Sequence, residues 1–152
     1  MAVYETPKSA AYGHTYTDGP ARGVVVDTAI VALTTAMIDN ANDDVGLLWL
    51  PKGAVILSMG LSLTDVDDGT AFVIDVGTSA SEELLVANAT TGQAAGLNVT
   101  MAAAGHLAKM TARTQLRAFV STAAGTPVAG TLKFHVVYFV DPEFSTTPLV
   151  AA

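Results

Sequence analysis

The feature that most limits what this chain can fold into is a two-residue alternation of apolar side chains that recurs in long runs. Val55, Leu57, Met59, Leu61 and Leu63 are apolar, with Ser58, Gly60, Ser62 and Thr64 among them. Successive side chains of an extended strand point to opposite faces, so this spacing predicts a half-buried strand. Leu132, Phe134, Val136, Tyr138 and Val140 repeat the pattern, opposed by Thr131, Lys133 and His135. Further strands are predicted over 24–33, 45–50, 71–76, 83–88, 97–101 and 115–121, each bounded by Gly, Pro, Asn or Asp. Eight short strands with turn signals between them predict an all-β domain, a sandwich or a barrel.

Turn chemistry suggests how the strands connect. DVDDG (Asp65 to Gly69) ends in Asp-Gly, a pair suited to the positive backbone angles of tight hairpins, and predicts an antiparallel pairing of 54–64 with 70–76. AAGTPVAG (Ala123 to Gly130) predicts a second, longer hairpin joining the run that ends at Ser121 to the last strand. TAIVALTTAMI has enough helical spacing to raise a helix, but its β-branched residues favour a strand that runs into a loop. No internal repeat is visible.

The chain has 152 residues, which suits one domain. Residues 1–23 contain Pro7, Gly13, Gly19, Pro20 and Gly23 and read as an extended N-terminal arm, 24–141 as the β domain, and 142–152, with Pro142 and Pro148, as a short C-terminal tail. Tyr4, Tyr12 and Tyr16 stud the arm, and aromatic rings on such a segment need a pocket supplied by another surface; a frayed terminus is the plainer reading of the same residues.

Composition removes several functional classes. Charged residues make up 14% of the chain and hydrophobic ones 51%, against roughly 25% charged in an average soluble domain, so much of the surface is neutral and suited to packing against other proteins. A net charge of −7 would repel a phosphate backbone, which argues against direct nucleic-acid binding. The apolar runs are too short to span a bilayer, and MAVYETPKSAAYGHTYTDG lacks the basic and apolar regions of a secretory signal, so a chain made and kept in the cytosol is expected, with no membrane partner. With no cysteine, there are no disulfides, thiolate nucleophiles or thiolate metal sites.

No motif predicts a catalytic residue, a cofactor or a metal. Counting a calcium loop from Asp65 places Thr70 where the glycine belongs and Val76 where the bidentate glutamate belongs, so Asp65, Asp67 and Asp68, like DNANDD (Asp39 to Asp44), are read as turn residues ahead of a looser cation site. His14, His106 and His135 lie on separate segments, without zinc-motif spacing. There is no nucleophile elbow, and VGTSAS (Val76 to Ser81) reads as a turn. TTGQAAG fits neither a phosphate loop nor a dinucleotide fingerprint, and the sequons at Asn88 and Asn98 receive no function. Trp49 reads as a core anchor ahead of a sugar-stacking platform, and Phe72, Phe119, Phe134, Tyr138 and Phe139 as mostly core.

Two stretches nevertheless carry a family resemblance. LLWLPKGAVILSMGLSLTDVDDGTAFVIDVGTS (Leu47 to Ser79) followed by VAGTLKFHVVYFVDPE (Val128 to Glu143) resembles the capsid decoration, or cement, proteins of tailed bacteriophages. The shared pattern is a strand ending in Leu-Pro-x-Gly, a long alternating strand closed by an Asp-rich turn, a strand ending in Asp-Val-Gly, and a final Gly-Thr-Leu strand running to Tyr-x-Val-Asp. The resemblance implies a β-sandwich or jelly-roll-like domain of antiparallel strands. It implies further a structural, non-enzymatic virion protein, made in the host cytoplasm and placed on the capsid exterior. Such a protein is commonly a homotrimer and ties neighbouring copies of the major capsid protein together; on this reading Tyr4, Tyr12 and Tyr16 would lie in an arm that clamps an adjacent subunit. Two other classes fit the residues: a carbohydrate- or receptor-binding β-sandwich on a virion or cell surface, which needs an exposed aromatic shelf, and a small hydrolase, which needs a cleft with a perturbed titratable cluster.

Overall fold

The computed structural model describes residues 23–141 and, of the N-terminal segment, the backbone of Val3–Tyr4. Tyr12, Tyr16, His14 and the expected tail 142–152 lie outside the described residues. Among the described residues there are nine strands: β1 (Val3–Tyr4), β2 (Val24–Leu33), β3 (Asp44–Leu50), β4 (Ala54–Leu63), β5 (Val73–Thr78), β6 (Ser81–Ala89), β7 (Gly96–Asn98), β8 (Thr114–Thr122) and β9 (Gly130–Val140). All eight strands expected from the alternation occur. TAIVALTTAMI is strand as far as Leu33, as its β-branched residues suggested, and the run after β2 then makes a single 3-10 turn at Thr35–Met37.

The strands form two sheets, one ordered β1-β3-β8-β5-β6 and the other β2-β9-β4-β7. Apart from β1, which pairs parallel to β3, every ladder is antiparallel. From β2 to β9 the chain passes between the sheets at every connection except β5–β6, which makes the domain a jelly roll. The inner faces meet in one core, where Ala29, Val31 and Leu33 of β2, Phe134, Val136 and Tyr138 of β9, and Leu116, Ala118 and Val120 of β8 are buried.

This topology overturns both expected hairpins. β4 and β5 lie in different sheets, as do β8 and β9, so neither DVDDG nor AAGTPVAG joins neighbouring strands. The two loops instead bond to each other: Asp68 N–H donates to the Thr126 carbonyl at 3.2 Å and Val128 N–H to the Val66 carbonyl at 2.9 Å. Turn residues specify a change of direction, and a jelly roll uses that change to cross from one layer to the other. The true hairpin is at VGTSAS, where Thr78 pairs with Ser81 and its hydroxyl accepts the Ser81 N–H at 3.2 Å. There Gly77 is required by close approach, since a Cβ would stand 2.1 Å from the Ser81 carbonyl oxygen.

Irregularities in the ladders also move side chains between faces. A register shift between Ile56 and Ser58 inverts the alternation in β4, so the core positions are Ala54, Ile56, Met59, Leu61 and Leu63. Val55 and Leu57, expected on the same face as Met59, therefore lie outside the main core. A similar shift between Gly46 and Leu48 places both Leu47 and Leu48 in the core. The expected strand at 97–101 stops at Asn98, whose side-chain oxygen accepts the Thr100 N–H at 2.8 Å and draws the chain out of the ladder.

Candidate functional site

The outer face of the β2-β9-β4-β7 sheet is the surface most suited to binding. The register stacks Val24, Val26, Thr28, Ile30 and Ala32 of β2 beside Phe139, Val137, His135, Lys133 and Thr131 of β9. Beyond them on β4 stand Ser58, Gly60 and Ser62, and Ser62 faces Leu97 of β7. None of these positions is acidic, although the chain carries a net charge of −7. Val24 and Val26 are each 63% exposed and Ile30 is 64% exposed, on a strand at the edge of its sheet. Large apolar side chains so placed, with no layer above them among the described residues, form a surface suited to association.

The geometry favours docking by the face over extension of the ladder. Asp27 points inward and is buried, and its carboxylate accepts the Thr28 N–H at 2.8 Å. A buried acid on an edge strand discourages another strand from adding there. His135 lies across Gly60, where an added Cβ would come within 2.1 Å of the imidazole ring, so the glycine lets the ring lie flat along this surface.

Asp67 organises the end of the domain where the two crossing loops meet. It is fully buried, and one carboxylate oxygen accepts the N–H groups of Gly69 at 3.0 Å and Thr126 at 2.8 Å. The other oxygen accepts those of Ala71 and Phe72, each at 3.0 Å, so β5 cannot start before Val73. The Thr126 N–H is the strongest of the influences that hold this carboxyl well below the usual range, joined by Phe72, Gly69 and Gly125 and opposed by burial. With two backbone N–H donors on each oxygen, the carboxylate has its acceptor sites engaged by the protein itself and acts as a staple between loops.

The opposite sheet has a polar outer face. Trp49 departs from the expectation of a core anchor: β3 alternation turns it away from Leu48 and Leu50, and it is half-buried outside the core, with the Arg113 guanidinium 4.6 Å from its ring centroid. That stacking occupies the ring face a sugar would use. Phe119 is buried on the same outer side, and Phe139 is half-buried on the other sheet's outer face, so of the five aromatic residues expected in strands Phe134 and Tyr138 are strand core and Phe72 is core just before β5. Arg117 of β8 pairs with Asp44 at the start of β3, its Nη2 donating to Asp44 Oδ1 at 3.1 Å. Tyr4, an expected arm residue, lies in β1, whose backbone register sets Val3 opposite Asp44 and Tyr4 opposite Val45. His106 lies in a loop and His135 on the sheet face, so the structure does not bring these two together.

Sequence reasoning missed the β2 face and the Asp67 staple. The signal for the first was present in VVVDTAIVAL, where, Asp27 and Thr28 apart, both alternating sets are apolar, more than a one-sided strand requires.

No protein-family model matches the chain, and no curated protein matches it. Solved structures share its fold. A chain of the cyanophage Pam1 capsid asymmetric unit is 24% identical with a TM-score of 0.69, and the match covers 90% of this chain and 98% of that one. A chain of the capsid of Ralstonia phage GP4 is 22% identical with a TM-score of 0.75, covering 92% and 99%. A chain from the acid-stable capsid of Helicobacter pylori bacteriophage KHP30 is 16% identical with a TM-score of 0.51, covering 78% and 92%.

Proposed function

We propose that this chain is a structural protein of a tailed-phage head, which attaches to the outer surface of the shell and stabilises it by linking neighbouring copies of the major capsid protein. The observation that carries the reading is the outer face of the β2-β9-β4-β7 sheet, where the exposed apolar row Val24, Val26 and Ile30 lies among neutral and basic positions without an acid, the surface through which the domain would dock. The fold likeness supports it, because the matched chains of the Pam1 and GP4 capsids are spanned over 98% and 99% of their length and are thus comparable small chains. The role is binding without a reaction. A shell must resist pressure from packaged DNA, and a modest contact repeated over many copies supplies resistance that a single contact cannot. Homotrimeric assembly and an arm contact through Tyr4, Tyr12 and Tyr16 belong to the same proposal.

The test is gradient sedimentation of heads purified from infected cells. The expected result is that the chain travels with assembled heads, remains at constant stoichiometry through repeated gradients, and is accessible to protease on intact particles. A chain that stays at the top of the gradient, or is found only with tails, would overturn the reading.

A further inference from the structure

β1 is a two-residue strand, parallel to its partner, at the edge of the five-stranded sheet. Nineteen residues, 5–23, separate it from β2, which lies at the edge of the other sheet. A span of that length reaches at most about 65 Å when extended, whereas a domain of this size is roughly 35 Å across. The connection is therefore longer than a return to the same molecule requires.

The acceptor is held independently of what pairs with it. Asp44 is fixed from β8 by Arg117, the Asp43 carbonyl accepts the Val120 N–H at 2.9 Å, and the Asn42 N–H donates to the Val120 carbonyl at 2.8 Å. Asn42 adopts a positive φ of 70°, which turns the chain into this position. A preformed edge meets a strand contributing only two residues of parallel ladder, a contact weak enough to open and re-form.

We propose that the Asp44–Val45 edge of β3 takes the Val3–Tyr4 strand of a second copy of this chain, so that adjacent copies are joined by exchanged N-terminal strands. The exchanged and self-paired forms make the same backbone contacts, so the choice between them is set by local concentration. A tether of this kind holds its strand at about millimolar effective concentration, and copies crowded side by side offer acceptors at a comparable level. The inference goes beyond head binding and does not depend on it, because two copies in concentrated solution suffice.

The experiment uses the full chain carrying Tyr4→benzoylphenylalanine, a photoreactive aromatic, prepared in ordinary and ¹⁵N-labelled forms. The two are mixed at high concentration, equilibrated, irradiated, and the cross-linked peptides read by mass spectrometry. The expected product joins the N-terminal peptide to the peptide containing Asp44 and Val45, with mixed light–heavy pairs as frequent as same-isotope pairs. Cross-links confined to same-isotope pairs at every concentration would overturn the proposal, as would the absence of any cross-link between position 4 and β3. The sedimentation of heads is unaffected by either result.

Discussion

Replacing Val26 and Ile30 together by Thr separates docking from folding. Both side chains point away from the core, 63% and 64% exposed, and Thr keeps the β-branched shape that suits a strand. Exposed substitutions of this kind change folding stability by about 0.5 kcal/mol or less. If the face is covered on the head, each new hydroxyl is buried against an apolar partner, at about 1–3 kcal/mol per site. The pair then weakens docking by about 4 kcal/mol, close to 10³-fold in affinity. The assay titrates purified, labelled chain onto heads that lack it and measures the bound fraction after sedimentation, with thermal unfolding of the free chain as control. A double variant that unfolds at the parent temperature and binds within a few-fold of the parent would refute the assignment of this face.

Other outcomes are equally definite. Asp67→Asn is expected to destabilise the domain at neutral pH, because an amide nitrogen would face two of the four N–H donors. The carboxyl is depressed in the folded chain, so its stabilisation is complete above the unfolded value of about 3.9 and lost as pH falls through the lower folded value. Urea midpoints at pH 7 and pH 3 should thus converge in the variant relative to the parent, and an unchanged difference would count against the staple. Phe134→Ala empties a fully buried site between Ala29 of β2 and Leu61 of β4 and should cost about 3–5 kcal/mol, a loss of roughly 10–25 °C in melting temperature by calorimetry. Deletion of residues 1–22 should leave the jelly roll folded by circular dichroism and reduce retention on heads in the sedimentation assay; unchanged retention would remove the arm from the docking reading.

Local sequence pattern carried the strands well because it records a local property. Leu132, Phe134, Val136 and Tyr138 alternate without interruption, and all four are buried in β9. It was less reliable wherever the ladder shifted: no residue between Ile56 and Ser58 announces that the face inverts there. The candidate site was obscured for a related reason. On β2 the charged Asp27 should mark the solvent side of the strand, but it is buried, while Val24, Val26 and Ile30 are exposed. Register with β9 puts Ala29, Val31 and Leu33 into the core and leaves the other apolar set outside.

By itself, then, the sequence determined the secondary structure, the all-β class and the positions of the turns, because each depends on side-chain period and backbone conformation within a few residues. Tertiary structure decided which strands became neighbours. DVDDG and AAGTPVAG read equally well as hairpins, and they became crossings because the Asp67 carboxylate and the loop-to-loop hydrogen bonds join residues about sixty apart in the chain. It also decided which apolar face of β2 would be left open, since that choice belongs to the packing of two sheets.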